Sequence, residues 1–144
     1  LRQPGGHITA AQFEALSAAA MQALDDEALG WFSRPLPWGS YGMLARASLS
    51  APTLGVALKR WCRHHGLLAD DLALHLQGDG EHAEVALTER RDLGPLREFC
   101  QVSVLRNLLG VASWLIDSRI PLQAAAFAWP TPPHADIARA RFVR

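Results

Sequence analysis

A change of hydrophobic period at Leu72 constrains the fold of this chain more than any other feature. From Leu72 to Gln77 leucines alternate with other residues, and after Gly78-Asp79-Gly80 a second alternating run extends from Ala83 to Thr88. Two alternating runs joined by a short Gly-rich turn predict an antiparallel hairpin with one buried face. We expect the buried face to carry Leu72, Leu74, Leu76, Val85 and Leu87, with His75 and Glu84 on the opposite face.

The segments before the hairpin have helical spacing. Thr9 and Gln12 form a capping box that predicts a helix from about Ala10 to Leu24, and one apolar stripe follows it. The stripe consists of Phe13, Leu16, Ala20 and Leu24. A second short turn, capped by Asp25 and Asp26, is expected to end at Gly30, and a Pro-containing loop follows from Ser33 to Gly39.

Two more helices are predicted before the hairpin. The first extends from Tyr41 to Leu49. The next is capped by Ser50 or Ala51, with Pro52 in its first turn, and ends at Gly66, against which Leu67 folds back. Leu54, Leu58, Trp61 and His65 are expected to share one face of this helix.

The longest helix is predicted after the hairpin. It begins at Leu93-Gly94-Pro95, ends near Asp117 and is expected to cover the hairpin with Phe99, Val102, Leu105, Leu109 and Ala112. A third strand from Leu122 to Ala128, a turn from Trp129 to Pro133 and a helix from Ala135 to Arg141 complete the chain. The sequence therefore predicts one α+β domain spanning residues 1–144, with helices packed on a small, mostly antiparallel sheet.

Charge and hydropathy exclude several classes of function. Lys and Arg together number 14, as do Asp and Glu, so no basic field attracts nucleic acid. No run approaches the roughly 18 apolar residues of a membrane span, and no signal peptide begins the chain, which predicts a cytoplasmic protein without membrane contact. Cys62 and Cys100 are interpreted as buried thiols, and no disulfide is expected.

Three groups of polar residues are candidate sites of metal binding or catalysis. Asp25, Asp26 and Glu27 point in different directions from one turn, which favours capping over metal binding or acid–base catalysis. Cys62, His64 and His65 lack further ligands of a zinc pattern, so a packed thiol and an exposed or C-capping histidine pair are preferred. His134 is interpreted as a turn or cap residue. Motifs for hydrolases, phosphate loops and dinucleotides are absent, and we expect no cofactor, no metal and no catalytic residue.

An aromatic and arginine set forms the candidate small-molecule pocket. Two arginines interrupt apolar helical stretches, and a guanidinium directed inward pairs well with a ligand carboxylate. The alternative reading is that the aromatic rings are core residues and the arginines are solvated. The candidate ligand-binding residues are Trp38, Tyr41, Arg46, Trp61 and Arg106.

Three segments of the chain resemble a known family. They are GSYGMLARASLSAPTLGVALKRW at 39–61, LDDEALG at 24–30 and PPHADIARARF at 132–142. The chain resembles the N-terminal effector-binding and dimerisation domain of AraC-type bacterial transcription regulators, in the branch of ornithine-utilisation regulators. Ile137 departs from this pattern, because an aromatic residue is common there.

The resemblance implies a sensory domain without enzymatic activity. It implies a homodimer that binds a small effector, which is an amino acid, a fatty acid or an aromatic metabolite, and that controls a helix-turn-helix DNA-binding domain. Because the chain begins without Met and ends in RFVR, we expect that domain to lie outside these 144 residues. We therefore expect no specific DNA binding by this chain alone. A ligand-free dimerisation module and a small cofactor-free enzyme remain as alternatives.

Overall fold

The computed structural model describes residues 7–78 and 82–127. In chain order its elements are α1 (Ala10–Leu24), α2 (Ser40–Leu49), α3 (Leu54–Leu68), β1 (Leu72–Gly78), β2 (Ala83–Glu89), a 3₁₀ turn (Gly94–Leu96) and α4 (Arg97–Leu115). The two strands pair in antiparallel orientation. The predicted α+β class is confirmed, with helices packed on a small antiparallel sheet.

Helix α1 begins and ends as predicted, but its apolar stripe is not buried. Thr9 Oγ1 accepts a hydrogen bond from the Gln12 amide, and Gln12 Oε1 accepts one from the Thr9 amide, which completes the capping box. Phe13 and Leu16 remain 56% and 57% exposed, and α1 has no buried residue. The stripe is therefore a solvent-facing apolar surface in this structure.

Helix α2 matches the prediction to within one residue, whereas both ends of α3 differ from it. Thr53 caps α3 by accepting from the Val56 amide, so Pro52 precedes the cap and neither Ser50 nor Ala51 caps the helix. A glycine stop requires a positive φ, which Gly66 lacks. The helix continues to Leu68, where the buried, extended Ala69 turns the chain toward β1.

The end of α3 also differs in its side chains. Leu67 is exposed and does not fold back against the helix. The shared face of Leu54, Leu58, Trp61 and His65 is confirmed, and it is the inner face of α3, because Leu58, Trp61 and His65 are buried and Leu54 is half-buried.

The hairpin has the predicted faces. Leu74 lies opposite Leu87 and Leu76 opposite Val85, and these four side chains belong to the core or pack against it. His75 and Glu84 are exposed on the other face. Residues 79–80 of the predicted turn lie outside the described residues.

The buried stripe of α4 differs from the predicted one. Phe99 is more than half exposed, and Val102, Leu105 and Leu109 are half-buried. Ala112 is therefore the one residue of the predicted stripe that is buried. Apolar residues surround most of this helix, so a three-to-four spacing can be drawn along more than one face. The buried residues instead follow a spacing of four: Cys100, Val104, Leu108 and Ala112.

The packing order of the layers also differs from the prediction. Helix α3 packs directly on β1, and α4 packs against α3 rather than covering the hairpin as its main contact. The predicted third strand is wrong over residues 122–127, which form no regular element and are mostly exposed. Ala128, the turn from Trp129 to Pro133, His134 and the helix from Ala135 to Arg141 lie outside the described residues.

The core lies between α2, α3, α4, the inner face of the hairpin and the loop that follows α1. Its largest fully buried side chains are Trp61, Leu36, Leu44, Leu72, His65, Val104, Cys100 and Ser48. None of the helices in the described part of the chain is long and apolar enough to cross a membrane.

Candidate functional site

Consecutive carboxylates at 25–27 organise the loop that leads to α2. Asp26 is buried, and its carboxylate accepts hydrogen bonds from the amides of Ala28 (2.9 Å), Leu36 (2.9 Å) and Gly30 (2.7 Å). Asp25 accepts from the amide of Trp38 at 2.8 Å. The predicted cap of the short turn is confirmed for Asp26, which also bonds the Leu36 amide, whereas the Asp25 carboxylate bonds the more distant loop.

Glu27 supplies the cap that α2 lacks locally. Gly39, at the N-cap, has a φ of 97° and no side chain, so it cannot cap the helix itself. The Glu27 carboxylate accepts from the amides of Gly39 (2.8 Å) and Tyr41 (2.7 Å). An anion at a helix N-terminus is also favoured by the helix dipole. Glu27 therefore fixes the backbone from which the Tyr41 side chain projects.

Three rings from α2 and α3 form an aromatic cluster, defined here as Tyr41, Trp61 and His65. The Tyr41 ring stacks on Trp61 with centroids 6.0 Å apart and planes inclined by 21°. The Tyr41 hydroxyl lies 3.5 Å from His65 Nε2. Phe32 packs edge-on against His65 with a centroid distance of 5.8 Å.

The aromatic cluster is uncharged at neutral pH. Burial lowers the pKa of His65 to about 4, so its imidazole is neutral. Burial also raises the pKa of the Tyr41 phenol, and the nearby Cys100, Glu27 and Asp26 add to this rise, which outweighs a hydrogen bond with Asn107. The cluster therefore presents neutral hydrogen-bonding groups inside an apolar core.

Two polar atoms of the cluster lack partners. Trp61 Nε1 and His65 Nδ1 are buried, and neither has a hydrogen-bond partner in the part of the chain that the structure describes. Trp61 and His65 are each only 1% exposed. A buried polar group without a partner is uncommon in native proteins and calls for an explanation such as a bound water or ligand.

The structure brings two of the five candidate ligand-binding residues together. Tyr41 and Trp61 are in ring contact in the aromatic cluster. Trp38 is 47% exposed, and Arg46 and Arg106 are exposed positions of α2 and α4. The two arginines are therefore not directed into the core in this structure, contrary to the expectation from their apolar neighbours.

The sequence places His65 on one face of α3 with Trp61, but its interpretation as an exposed or C-capping histidine is wrong. His65 is buried, because this shared face is the inner face of the helix. The spacing of four residues from Trp61 was the available signal. Asn107, which hydrogen-bonds Tyr41 from α4, follows no motif.

Metal binding has no support among the described residues. No group of three or more His, Cys, Asp or Glu side chains there is arranged to hold an ion. Cys62 is a buried free thiol, and burial raises its pKa, which opposes the thiolate form that metals bind. The interpretation of Cys62 as a packed thiol is confirmed, and Cys100 is likewise a buried free thiol.

A separate shallow groove lies where the end of α2 meets the start of α3 and the end of α4. Its volume is about 200 Å³, and it is open to solvent on one side. The lining residues include Leu49, Pro52 and Ile116. None of the five candidate residues lines it.

Comparison with known proteins gives one match. A family model described as the arabinose-binding domain of AraC transcription regulator, N-term, matches residues 1–144. No curated protein and no solved structure matches the chain. The matched family is a ligand-binding regulatory domain of transcription factors and not a family of enzymes.

Proposed function

Because the chain belongs to the family of arabinose-binding N-terminal domains of AraC transcription regulators, we propose that it senses a small effector, forms a homodimer and controls an attached DNA-binding domain. The proposal places the protein in the cytoplasm, where such a regulator meets its promoter. It also assigns the chain to the branch of ornithine-utilisation regulators, on the segments at 24–30, 39–61 and 132–142.

The observation that carries this proposal is the aromatic cluster. A small-molecule site usually combines apolar and aromatic walls with a few polar groups that fix the orientation of the ligand. Tyr41, Trp61 and His65 meet this description, and two of their polar atoms lack partners among the described residues. We propose that the effector binds against Tyr41 and Trp61, and that Trp38, Arg46 and Arg106 contact its outer part.

Effector binding at the aromatic cluster is coupled through Glu27 to the loop at 25–39 and to the start of α2. The Tyr41 amide and the loop at 25–39 are held by the same carboxylate, Glu27. An effector that moves the Tyr41 ring therefore acts on the start of α2 and on this loop. A ligand that binds one arrangement of α2 better than another shifts the population between them by its difference in affinity. In a dimer, this shift changes how the DNA-binding domains are presented.

Substitution of the two arginines tests their part in the site. We expect Arg46→Ala and Arg106→Ala to change the free energy of unfolding by less than about 0.5 kcal/mol, because both residues are exposed. If an arginine pairs with a charged group of the effector, its removal weakens binding by roughly tenfold or more, since such bonds contribute about 1.5–3 kcal/mol. Calorimetric titration with an effector found by thermal-shift screening measures the effect.

The control for this experiment is Arg63→Ala, which removes an exposed arginine from α3. Unchanged affinity in both test variants would eliminate the arginine contacts and leave the aromatic cluster as the proposed site. A large loss of stability without a separate loss of affinity would show that the arginines have structural partners instead.

A ligand-free dimerisation module is the second candidate function, and the exposed stripe of α1 favours it. Phe13, Leu16 and Leu24 are each more than half exposed on a helix with a single ionisable residue, Glu14. Two copies of such a surface can pack together without like-charge repulsion. This candidate predicts concentration-dependent dimerisation and no response to any metabolite. Cofactor-free catalysis is not proposed, because burial moves the pKa of His65 down and the pKa of Tyr41 up, so that neither group of this pair exchanges a proton readily near neutral pH.

A further inference from the structure

The unpartnered atoms of the aromatic cluster define what kind of chemical group fits beside them. Trp61 Nε1 can only donate a hydrogen bond, whereas His65 Nδ1 of a neutral imidazole donates or accepts according to the tautomer. The two residues are four apart on α3, so their side chains are neighbours on one face of the helix. A hydroxyl group both accepts and donates, and it is therefore complementary to both atoms in either tautomer of His65.

The electrostatics around the cluster disfavour an ion. No lysine or arginine is among the buried residues that the structure describes. The ionised groups that act on Tyr41 are the carboxylates of Glu27 and Asp26, whose negative charge opposes a nearby anion. An ammonium group has no acceptor, so it cannot satisfy the Trp61 N–H, which only donates. A buried charge without a partner is strongly unfavourable, so a neutral group is preferred.

We propose that His65 and Trp61 bind the inner end of the effector and that this end is an uncharged hydroxyl group. His65 is thereby a specificity-determining residue, which rejects effectors whose inner end is a carboxylate or an ammonium group. If the effector also carries a charged group, that group lies at its outer end, near Trp38, Arg46 and Arg106. This inference rests on the proposed function, because it identifies the chemistry of the same site.

Three probes that share a ring and differ in charge test the inference. They are benzyl alcohol, benzoate and benzylammonium, each titrated into the 144-residue chain at pH 7. The readout is the indole N–H resonance of Trp61 in nitrogen–proton correlation spectra, assigned by its disappearance in Trp61→Phe. Benzyl alcohol is expected to shift this resonance saturably, and the two ions are expected to bind at least about tenfold more weakly.

Substitutions at the two residues show whether the hydrogen bonds matter. Trp61→Phe keeps an aromatic ring and removes the N–H, and His65→Phe removes both ring nitrogens. Each is expected to weaken benzyl alcohol binding by roughly threefold to tenfold, which corresponds to the net value of one hydrogen bond. For Trp61→Phe, the shift of the His65 ring resonances measures binding. The matched control is Trp114→Phe, because Trp114 lies on α4 and is 61% exposed.

Two outcomes overturn the inference. One is that benzoate or benzylammonium binds as tightly as benzyl alcohol. The other is that no probe shifts the Trp61 resonance, which would show that the cluster is closed to ligands and that water satisfies its polar atoms.

Failure of this inference is distinguishable from failure of the proposed function. If a metabolite raises the melting temperature but its affinity is unaffected by Trp61→Phe and His65→Phe, the chain is a sensor with a different site. If benzyl alcohol binds at Trp61 and no metabolite binds the chain, the inferred chemistry holds and the sensory function fails.

Discussion

At the residue scale, His65 shows how burial converts an ordinary side chain into a neutral recognition group. Its ring lies between Tyr41 and Phe32, and burial lowers its pKa to about 4 from an ordinary value of 6.5. The helical spacing predicted that it shares a face of α3 with Trp61, but not that this face is buried, and His65 was therefore expected to be exposed or C-capping. Its neighbours on other elements, which decide its protonation, cannot be identified from local periodicity.

The lowered pKa of His65 makes folding stability depend on pH. Above pH 6.5 the ring is neutral in both the folded and the unfolded chain, so it adds no pH dependence there. Between pH 6.5 and about 4 the unfolded chain binds a proton that the folded chain does not, and stability therefore falls as pH falls. The total loss is on the order of 3 kcal/mol, and urea denaturation at several pH values measures it.

His65→Phe is expected to reduce the fall in stability between pH 6.5 and 4, and His75→Phe, which replaces an exposed histidine of β1, is the control variant. Equal slopes for wild type and His65→Phe between pH 6.5 and 4 would contradict the assignment of a buried neutral imidazole.

At the element scale, the loop between α1 and α2 is stabilised by side chains rather than by regular structure. The sequence predicted capping at 25–27, because neighbouring carboxylates cannot converge on one ligand. It could not predict that Asp26 reaches Leu36 or that Glu27 reaches Tyr41, since these contacts depend on how the loop folds back. The stripe of α4 was mispredicted for a related reason. Only packing against α3 selects Cys100 and Val104 from its many apolar residues.

Asp26→Asn tests the stabilisation of this loop. An amide side chain has one acceptor oxygen, so it cannot satisfy the Ala28, Leu36 and Gly30 amides together, and its NH₂ group opposes a backbone donor. We expect the free energy of unfolding to fall by about 1–3 kcal/mol, measured by urea denaturation. The control is Asp70→Asn at an exposed position. A loss at Asp26 no larger than that at Asp70 would show that these hydrogen bonds contribute little.

Helix α1 is expected to be weakly protected in the monomer. It has 15 residues and none of them is buried, and an isolated helix of that length is marginal in water. Hydrogen exchange of its amides should be fast in dilute protein and slower at concentrations where α1 pairs with a second copy. Phe13→Glu combined with Leu16→Glu should abolish this concentration dependence, and Gln22→Glu, also exposed on α1, is the charge control. Exchange that is independent of concentration would exclude dimerisation through α1.

At the scale of the whole molecule, the change of period at Leu72 was sufficient to predict an α+β fold. Alternation predicted the hairpin and its faces, because side chains on a strand point to opposite sides. The segment at 122–127 has a similar composition, but a strand also needs a partner, and there the residues remain mostly exposed. Packing between elements likewise decides which of the candidate site residues lie together. Tyr41 and Trp61 meet because α2 packs on α3, whereas Arg46 and Arg106 lie on outer faces.

The most direct test of the central claim is the melting temperature of the 144-residue chain in the presence of a library of small metabolites that includes arabinose and ornithine. A sensory domain predicts that at least one compound raises it. At a hundred times its dissociation constant a ligand adds about 2.7 kcal/mol, which corresponds to roughly 5–10 °C for a domain of this size. The account also predicts that Trp61→Phe reduces the shift and Trp114→Phe does not. A library in which no compound raises the melting temperature would contradict the claim that this domain senses a small molecule.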